Sequence, residues 1–153
     1  DDDEGDHHPF LEEEEEEEEE DRHGGPSRNV TVLVVGAGAT GCELLKHLAL
    51  LRPPGRGVVR CVVADDDAIE RSNLNRQFLF REEDVGQSKA VVAASRAATM
   101  SPPWNNVHFV AANKRVEQGT KAYFDAIVRR SDCVFSALDN VPARRFVDDL
   151  CLE

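Results

Sequence analysis

Three glycines, Gly36, Gly38 and Gly41, stand in the spacing G-x-G-x-x-G directly after the apolar run Val32, Leu33, Val34, Val35. That order describes a buried strand that turns sharply into a helix beginning near Ala39. Each glycine has its own physical task. Gly36 permits the tight turn, Gly38 lets backbone approach an anion without a Cβ in the way, and Gly41 lets helix and strand pack closely. A helix start offers unpaired N–H groups and about half a positive charge, which suits a phosphate. The acidic run Asp65-Asp66-Asp67 could accept hydrogen bonds from ribose hydroxyls, a chemistry shared by NAD and ATP. Asn73, Asn75, Arg76 and Gln77 crowd a short polar segment, and Lys89 lies thirteen residues beyond Arg76. Arg76 and Lys89 suit a triphosphate, and Asp139 could hold its magnesium through oxygen. Taken singly, the glycine turn also fits plain packing, and a lone charge also fits a solvated surface.

These residues need a frame. Val30–Val35 reads as a strand, Ala39–Leu51 as a helix with Leu44, Leu45, Leu48 and Leu51 at helical spacing, and Arg52–Gly57 as a loop. Val58–Val63 is a second strand, and the following loop, 64–72, holds Asp65. Ser72–Phe80 reads as a short helix capped by Ser72 or Asn73, and Arg81–Gly86 as a charged loop. Gln87–Met100 is a longer helix with Ala90, Val91, Ala94 and Ala98 on its inner face. Val107–Ala111 is a third strand, Gly119–Arg130 an amphipathic helix and Cys133–Leu138 a fourth strand. Pro142 suits the first turn of a final helix. The pattern is βαβαβαβα: an α/β, Rossmann-like, doubly wound and mainly parallel sheet of order 3-2-1-4, the first half of such a fold. The glycine turn, the aspartate loop and Asp139-Asn140 then share the carboxyl edge of the sheet.

Charge divides the chain in two. Residues 1–23 hold 15 of the 30 acidic residues, nine of them the run Glu12–Glu20, with Arg22 as their one basic residue. Residues 1–27 are therefore expected to be a disordered acidic tail and linker, and 28–153 a folded domain. That body is close to neutral, with 15 acidic and 17 basic residues, so the net charge of −12 is a property of the tail. Neither nucleic acid nor a membrane is expected as a partner. No run of 18 apolar residues exists, and the N-terminus lacks the regions of a signal peptide. Cys42, Cys61, Cys133 and Cys151 are widely spaced and never form C-x-x-C, which argues for packing thiols in a reduced intracellular protein. Cys61 and Cys133 are expected in buried strands.

Three strings, GAGATGCELLKHLAL, DDDAIERSNLNRQFLFREEDVGQSKA and SALDNVPARR, resemble the active adenylation half of the ubiquitin-activating enzyme family, of the ThiF type. SNLNRQFLF is far more specific than the glycine motif. The likeness covers about residues 30–153 and implies a partial ATP-binding adenylation domain. It implies that Gly36, Gly38, Ala39 and Gly41 form the nucleotide turn and that Asp65 holds the ribose. Asn73, Arg76 and Lys89 would face the phosphates, backbone near Val116 the adenine, and Asp139, with Asp67, the magnesium; Asn140 lies close by. Thr40 departs from the family's usual aliphatic residue.

The implied reaction is attack of a modifier's C-terminal carboxylate on the α-phosphate of MgATP, with Arg76, Lys89 and Asp139 as the catalytic set. The implied partners are ubiquitin or a ubiquitin-like modifier, a companion inactive adenylation half, and conjugating enzymes recruited by other domains. The implied location is cytoplasmic and nuclear. None of the four cysteines matches the family's thioester cysteine, so the chain alone is expected not to complete the reaction. Two other readings stand beside this one: an NAD-binding dehydrogenase domain, and a nucleotide-binding segment without turnover.

Overall fold

The computed structural model describes residues 29–51 and 57–153; the expected acidic tail, most of the linker before the first strand and most of the loop at 52–57 lie outside the described residues. Four strands form one parallel sheet: β1 (Val30–Val35), β2 (Val59–Ala64), β3 (Val107–Ala112) and β4 (Cys133–Ser136), in the order β3-β2-β1-β4. This is the α/β, 3-2-1-4 arrangement read from the sequence. The central pair runs in register from Val30 opposite Val59 to Val35 opposite Ala64. Parallel strands need crossovers, which α1 (Ala39–Leu50), α2 (Lys89–Met100) and α3 (Lys121–Val128) supply, and α4 (Val141–Leu152) follows β4.

Side chains alternate across each strand, and both faces of the central strands are covered. Val32, Val34, Cys61 and Val63 pack under α1 and α2 with Leu45, Leu48 and Ala93. Leu33, Val35, Val62 and Ala64 pack on the other face with Phe124 of α3 and Val147 and Leu150 of α4. Near-continuous runs such as VTVLVV are what two covered faces demand.

Several local expectations change. Ser72–Phe80 is not a helix: a single 3₁₀ turn spans Arg71–Asn73, and irregular backbone follows it. Asn73 does not cap from in front; its Oδ1 accepts the Glu70 N–H at 2.9 Å, closing the turn from behind. Of the segment's apolar residues, Leu79 and Phe80 plug into the core with Ile69, and Leu74 and Phe78 pack against it half-buried. Two backbone bonds tie together the ends of residues 69–87, the insert between β2 and α2: Ile69 N–H to Gln87 O and Gly86 N–H to Ile69 O, both 2.8 Å. The charged loop at 81–86 contains a 3₁₀ turn, Glu82–Asp84. There the buried Asp84 accepts the Arg81 N–H at 2.7 Å and pairs with Arg96 at 3.1 Å.

α2 begins at Lys89, not Gln87, with Ser88 as its cap. Its buried residues are Lys89, Ala90, Val92, Ala93, Ala94 and Ala97, whereas Val91 and Ala98 point to solvent. Leu51 lies beyond α1 and is exposed. Cys133 is exposed, because β4 is an edge of the described sheet, while Cys61 in β2 is fully buried. Among the described residues no helix is long and apolar enough to cross a membrane.

Candidate functional site

A cleft of about 830 Å³ opens at the carboxyl ends of β1, β2 and β4. It is lined by residues from every part of the chain singled out for chemistry: Gly36, Gly38 and Ala39; Asp65 and Asp67; Asn73 and Arg76; Lys89; Val116; Asp139 and Asn140. Gly41 is the one predicted residue outside the lining, and it sits directly behind the turn. A Cβ on Gly41 would lie 2.0 Å from the Gly36 carbonyl oxygen, so only glycine lets α1 approach β1 this closely. Gly36 has φ +101° and ends β1 against Ala137, whose carbonyl oxygen is 2.8 Å from where a Cβ would stand. A Cβ on Gly38 would meet nothing nearer than 4.0 Å. Gly38 caps α1 with no side-chain hydrogen bond, which leaves the first-turn N–H groups without a side-chain acceptor.

Asp65 ties this turn to the end of β2. Its Oδ2 accepts the Ala37 N–H at 2.7 Å and its Oδ1 the Asp67 N–H at 2.8 Å. Burial pushes the Asp65 carboxyl above its ordinary range, and the two backbone bonds oppose that rise. Each oxygen keeps a further lone pair for a ligand hydroxyl.

Lys89 is the first residue of α2, and its side chain is only 10% exposed. Its ammonium meets Asp67 Oδ2 at 2.8 Å, and its own N–H donates to the Asp67 carbonyl at 3.0 Å. An ammonium taken this far out of water needs such a partner. Arg76 is exposed at the tip of the insert and is braced by the Ser72 carbonyl at 2.8 Å and Asn75 Oδ1 at 3.2 Å. Asn140 serves α4 as its N-cap, accepting the Ala143 N–H at 2.9 Å, which fixes Asp139 at the mouth of the cleft.

Gln77, Lys114 and Arg115 also line the cleft and were not among the residues the sequence assigns to a ligand. Arg115 pairs with Asp66 at 2.8 Å, and Lys114 Nζ stands 5.2 Å from the Tyr123 ring centre. Their signal was positional: they follow β3 and so share the carboxyl edge with Asp65.

The donor set fits a magnesium nucleotide. Among the described residues no cluster of three His, Cys, Asp or Glu side chains is poised to cage a metal. Two carboxylates, Asp67 and Asp139, line a cleft that also holds Lys89 and Arg76. Magnesium is typically held in this way, by one or two carboxylates and the phosphates themselves.

A sequence model of the ThiF family matches residues 26–153. The chain belongs to the ThiF family. This ThiF chain is 48% identical over 122 residues to ubiquitin-activating enzyme E1 1 of Arabidopsis thaliana, covering 79% of the chain and 11% of that protein. It is 41% identical over 127 residues to ubiquitin-like modifier-activating enzyme 6 of Mus musculus, covering 82% of the chain and 12% of that protein. It is 43% identical over 130 residues to the NEDD8-activating enzyme E1 catalytic subunit of Caenorhabditis elegans, covering 82% of the chain and 27% of that protein. The chain thus spans a minor part of the length of these curated relatives. Among solved structures, the E. coli tRNA N6-threonylcarbamoyladenosine dehydratase TcdA superposes with a TM-score of 0.63 at 25% identity, covering 80% of this chain and 47% of that one.

Proposed function

We propose that this ThiF chain is the MgATP-binding part of a ubiquitin-activating enzyme, whose reaction is adenylation of the C-terminal carboxylate of ubiquitin. The observation that carries this reading is Lys89: a nearly buried cation, set by the start of α2 into the wall of a cleft that the uncapped start of α1 also lines. An NAD site gives that cation no task. The relatives named as activating enzymes for ubiquitin, for ubiquitin-like modifiers and for NEDD8 support the class, and the higher identity to the plant ubiquitin enzyme favours ubiquitin.

In the proposed reaction a carboxylate oxygen attacks the α-phosphorus of ATP. One P–O bond forms, the bond to the bridging oxygen breaks, and pyrophosphate leaves with that electron pair. The attacking group is already an anion, so no general base is required. Asp65 accepts hydrogen bonds from the ribose, Asn73 adds a polar contact near the phosphates, and backbone near Val116 lies against the adenine. Arg76 and Lys89 offset the negative charge that grows on the leaving phosphates. Magnesium, when bound by Asp139 and Asp67, supplies Lewis-acid neutralisation across the phosphate oxygens. Residues 28–153 form the adenylation unit in this reading, and residues 1–27 a tail. The partners are ubiquitin, a companion inactive half and conjugating enzymes, and the setting is the cytoplasm and nucleus.

The test is the affinity for MgATP of the wild type, Arg76→Ala and Lys89→Ala. Loss of a hydrogen bond to a charged group predicts a weakening of about ten- to a hundredfold for each. ATP binding indifferent to both substitutions, or NADH binding at comparable strength, would overturn the reading.

A further inference from the structure

The run Asp65-Asp66-Asp67 carries one residue that the proposed reaction leaves idle. Asp65 bonds the Ala37 N–H of the glycine turn, and Asp67 bonds Lys89 at the start of α2. Asp66 turns to a third element, the loop that follows β3, where Arg115 Nε donates to its Oδ2 at 2.8 Å. Both partners line the cleft. Among the described residues this is the one side-chain bond between loop 65–67 and loop 113–117.

Residues 113–117 form neither helix nor strand, so side chains must fix their place. On the α3 side the Thr120 hydroxyl donates to the Arg115 carbonyl at 2.6 Å and accepts the Glu117 N–H at 3.2 Å. The Val116 side chain packs half-buried against the core under α3 and α4. Between these anchors the N–H and carbonyl of Val116 have no partner among the described residues, and a backbone pair left open in a cleft wall is there to bond a ligand. On the β2 side, Asp65 N–H bonds the Ala112 carbonyl at 3.2 Å where β3 ends. Beyond that point the Asp66–Arg115 pair is what sets how far the loop stands from Asp65.

We propose that Asp66 and Arg115 are a positioning pair, which holds the open backbone of Val116 at a set distance from the Asp65 carboxylate so that one nucleoside meets both at once. The inference rests on the reading of the cleft as an ATP site. Neither member of the pair touches the base or the ribose; they act through Val116 and Asp65. The effect is small by nature. Arg115 is 64% exposed and Asp66 34%, and a pair this close to water changes an equilibrium constant about two- to fivefold.

The test separates the nucleoside from the phosphates. In the full chain, adenosine, MgATP and magnesium tripolyphosphate are titrated by calorimetry against the wild type, Asp66→Ala, Arg115→Ala and the double variant. The expected result is adenosine and ATP each about two- to fivefold weaker in both single variants, the double variant no weaker than either, and tripolyphosphate unchanged. Arg115→Lys, which keeps a cation facing Asp66, is expected to restore most of the affinity. Adenosine carries no charge, so raised salt should bring its wild-type affinity down toward that of the variants. If adenosine and ATP bind both single variants as well as the wild type, the pair is a surface ion pair only; the inference fails and the ATP reading stands. Weakening of ATP and tripolyphosphate in Arg115→Ala alone would make Arg115 a direct phosphate contact and overturn the pair, as would losses that add in the double variant. Equal loss of all three ligands with a lowered melting temperature would overturn it in favour of a folding role. A wild type that binds no ATP overturns both readings.

Discussion

Under α1 and α2, the sheet meets Leu45, Leu48, Val92, Ala93 and Ala97, and the insert adds Ile69, Leu79 and Phe80 to the same cluster. Under α3 and α4, Phe124, Val147 and Leu150 are the fully buried apolar side chains the helices contribute. One face is a deep core and the other a shallow one. The cleft straddles the two. Its glycine turn, Asp65 and Lys89 are anchored in the deep side, whereas Val116, Asp139 and Asn140 hang from elements of the shallow side. The elements with few buried apolar contacts are the ones expected to open at low free energy. The difference assigns the glycine-turn end of the cleft to rigid structure and the opposite wall to structure that adjusts.

The comparison can be broken most severely at Gly41. A methyl there meets a backbone oxygen at 2.0 Å, and no rotamer change relieves it. Gly41→Ala is expected to cost more than about 4 kcal/mol in chemical denaturation, a range reached by few mechanisms, overpacking among them. A midpoint close to the wild type's would mean that α1 shifts freely on β1 and that the deep face is not rigid.

Smaller effects sharpen the contrast. Leu45→Ala and Phe124→Ala each delete a fully buried side chain, at about 2–5 and 3–5 kcal/mol. The two should differ in reach. Hydrogen exchange is expected to show Leu45→Ala lowering protection across all four strands, while Phe124→Ala releases α3 and α4 and spares β1 and β2. Equal loss everywhere in both variants would make the two faces one cooperative unit.

The mildest test uses the thiols. Burial pushes Cys42 up from 9.0 to about 11 and Cys61 to about 12, so both stay protonated at pH 8. Iodoacetamide at that pH is expected to modify Cys133 and Cys151, which are exposed, and to leave Cys42 and Cys61 intact until the chain unfolds. The sign of the linked stability follows. Between the unfolded value and these raised values the folded state binds more protons. The contribution of the two buried thiols is therefore complete below about pH 8.5 and is lost as pH rises toward 11 and 12.

Where the sequence carried strong contrast, it was legible. Val30–Val35, the glycine spacing and the strand ending at Asp65 are apolar runs broken by residues with few conformational alternatives, and they define the 3-2-1-4 sheet. The insert was not legible as a helix-or-loop choice. Asn73 and Gln77 are polar yet buried, and Arg76 is exposed one residue before Gln77, so no periodicity separates inside from outside. The buried face of α2 was misjudged for a related reason. In KAVVAASRAATM alanine occupies more than one face, and of the adjacent Val91 and Val92 one is exposed and one buried, so hydrophobic contrast does not mark the stripe that meets the sheet. Cys133 looked buried because its strand is apolar, but only its neighbours in space decide whether a strand is an edge. The candidate site was read mostly through its motif. Gln77, Lys114 and Arg115 needed the fold, because each acquires its place from a tertiary neighbour.

The neck of the insert, where Ile69 and Gln87 bond, has a consequence for chain entropy. Once those ends are fastened, the residues between them form a closed loop whose cost depends only weakly on its length, about 0.6 kcal/mol for each doubling. That entropic latitude is not used near Arg81–Gly86, where the buried Asp84 pairs with Arg96 and Gly86 bonds Ile69 at the neck. The stretch from the neck to Arg76 is held as well, since it decides whether the guanidinium reaches the cleft at all. The insert is a tether measured along both limbs.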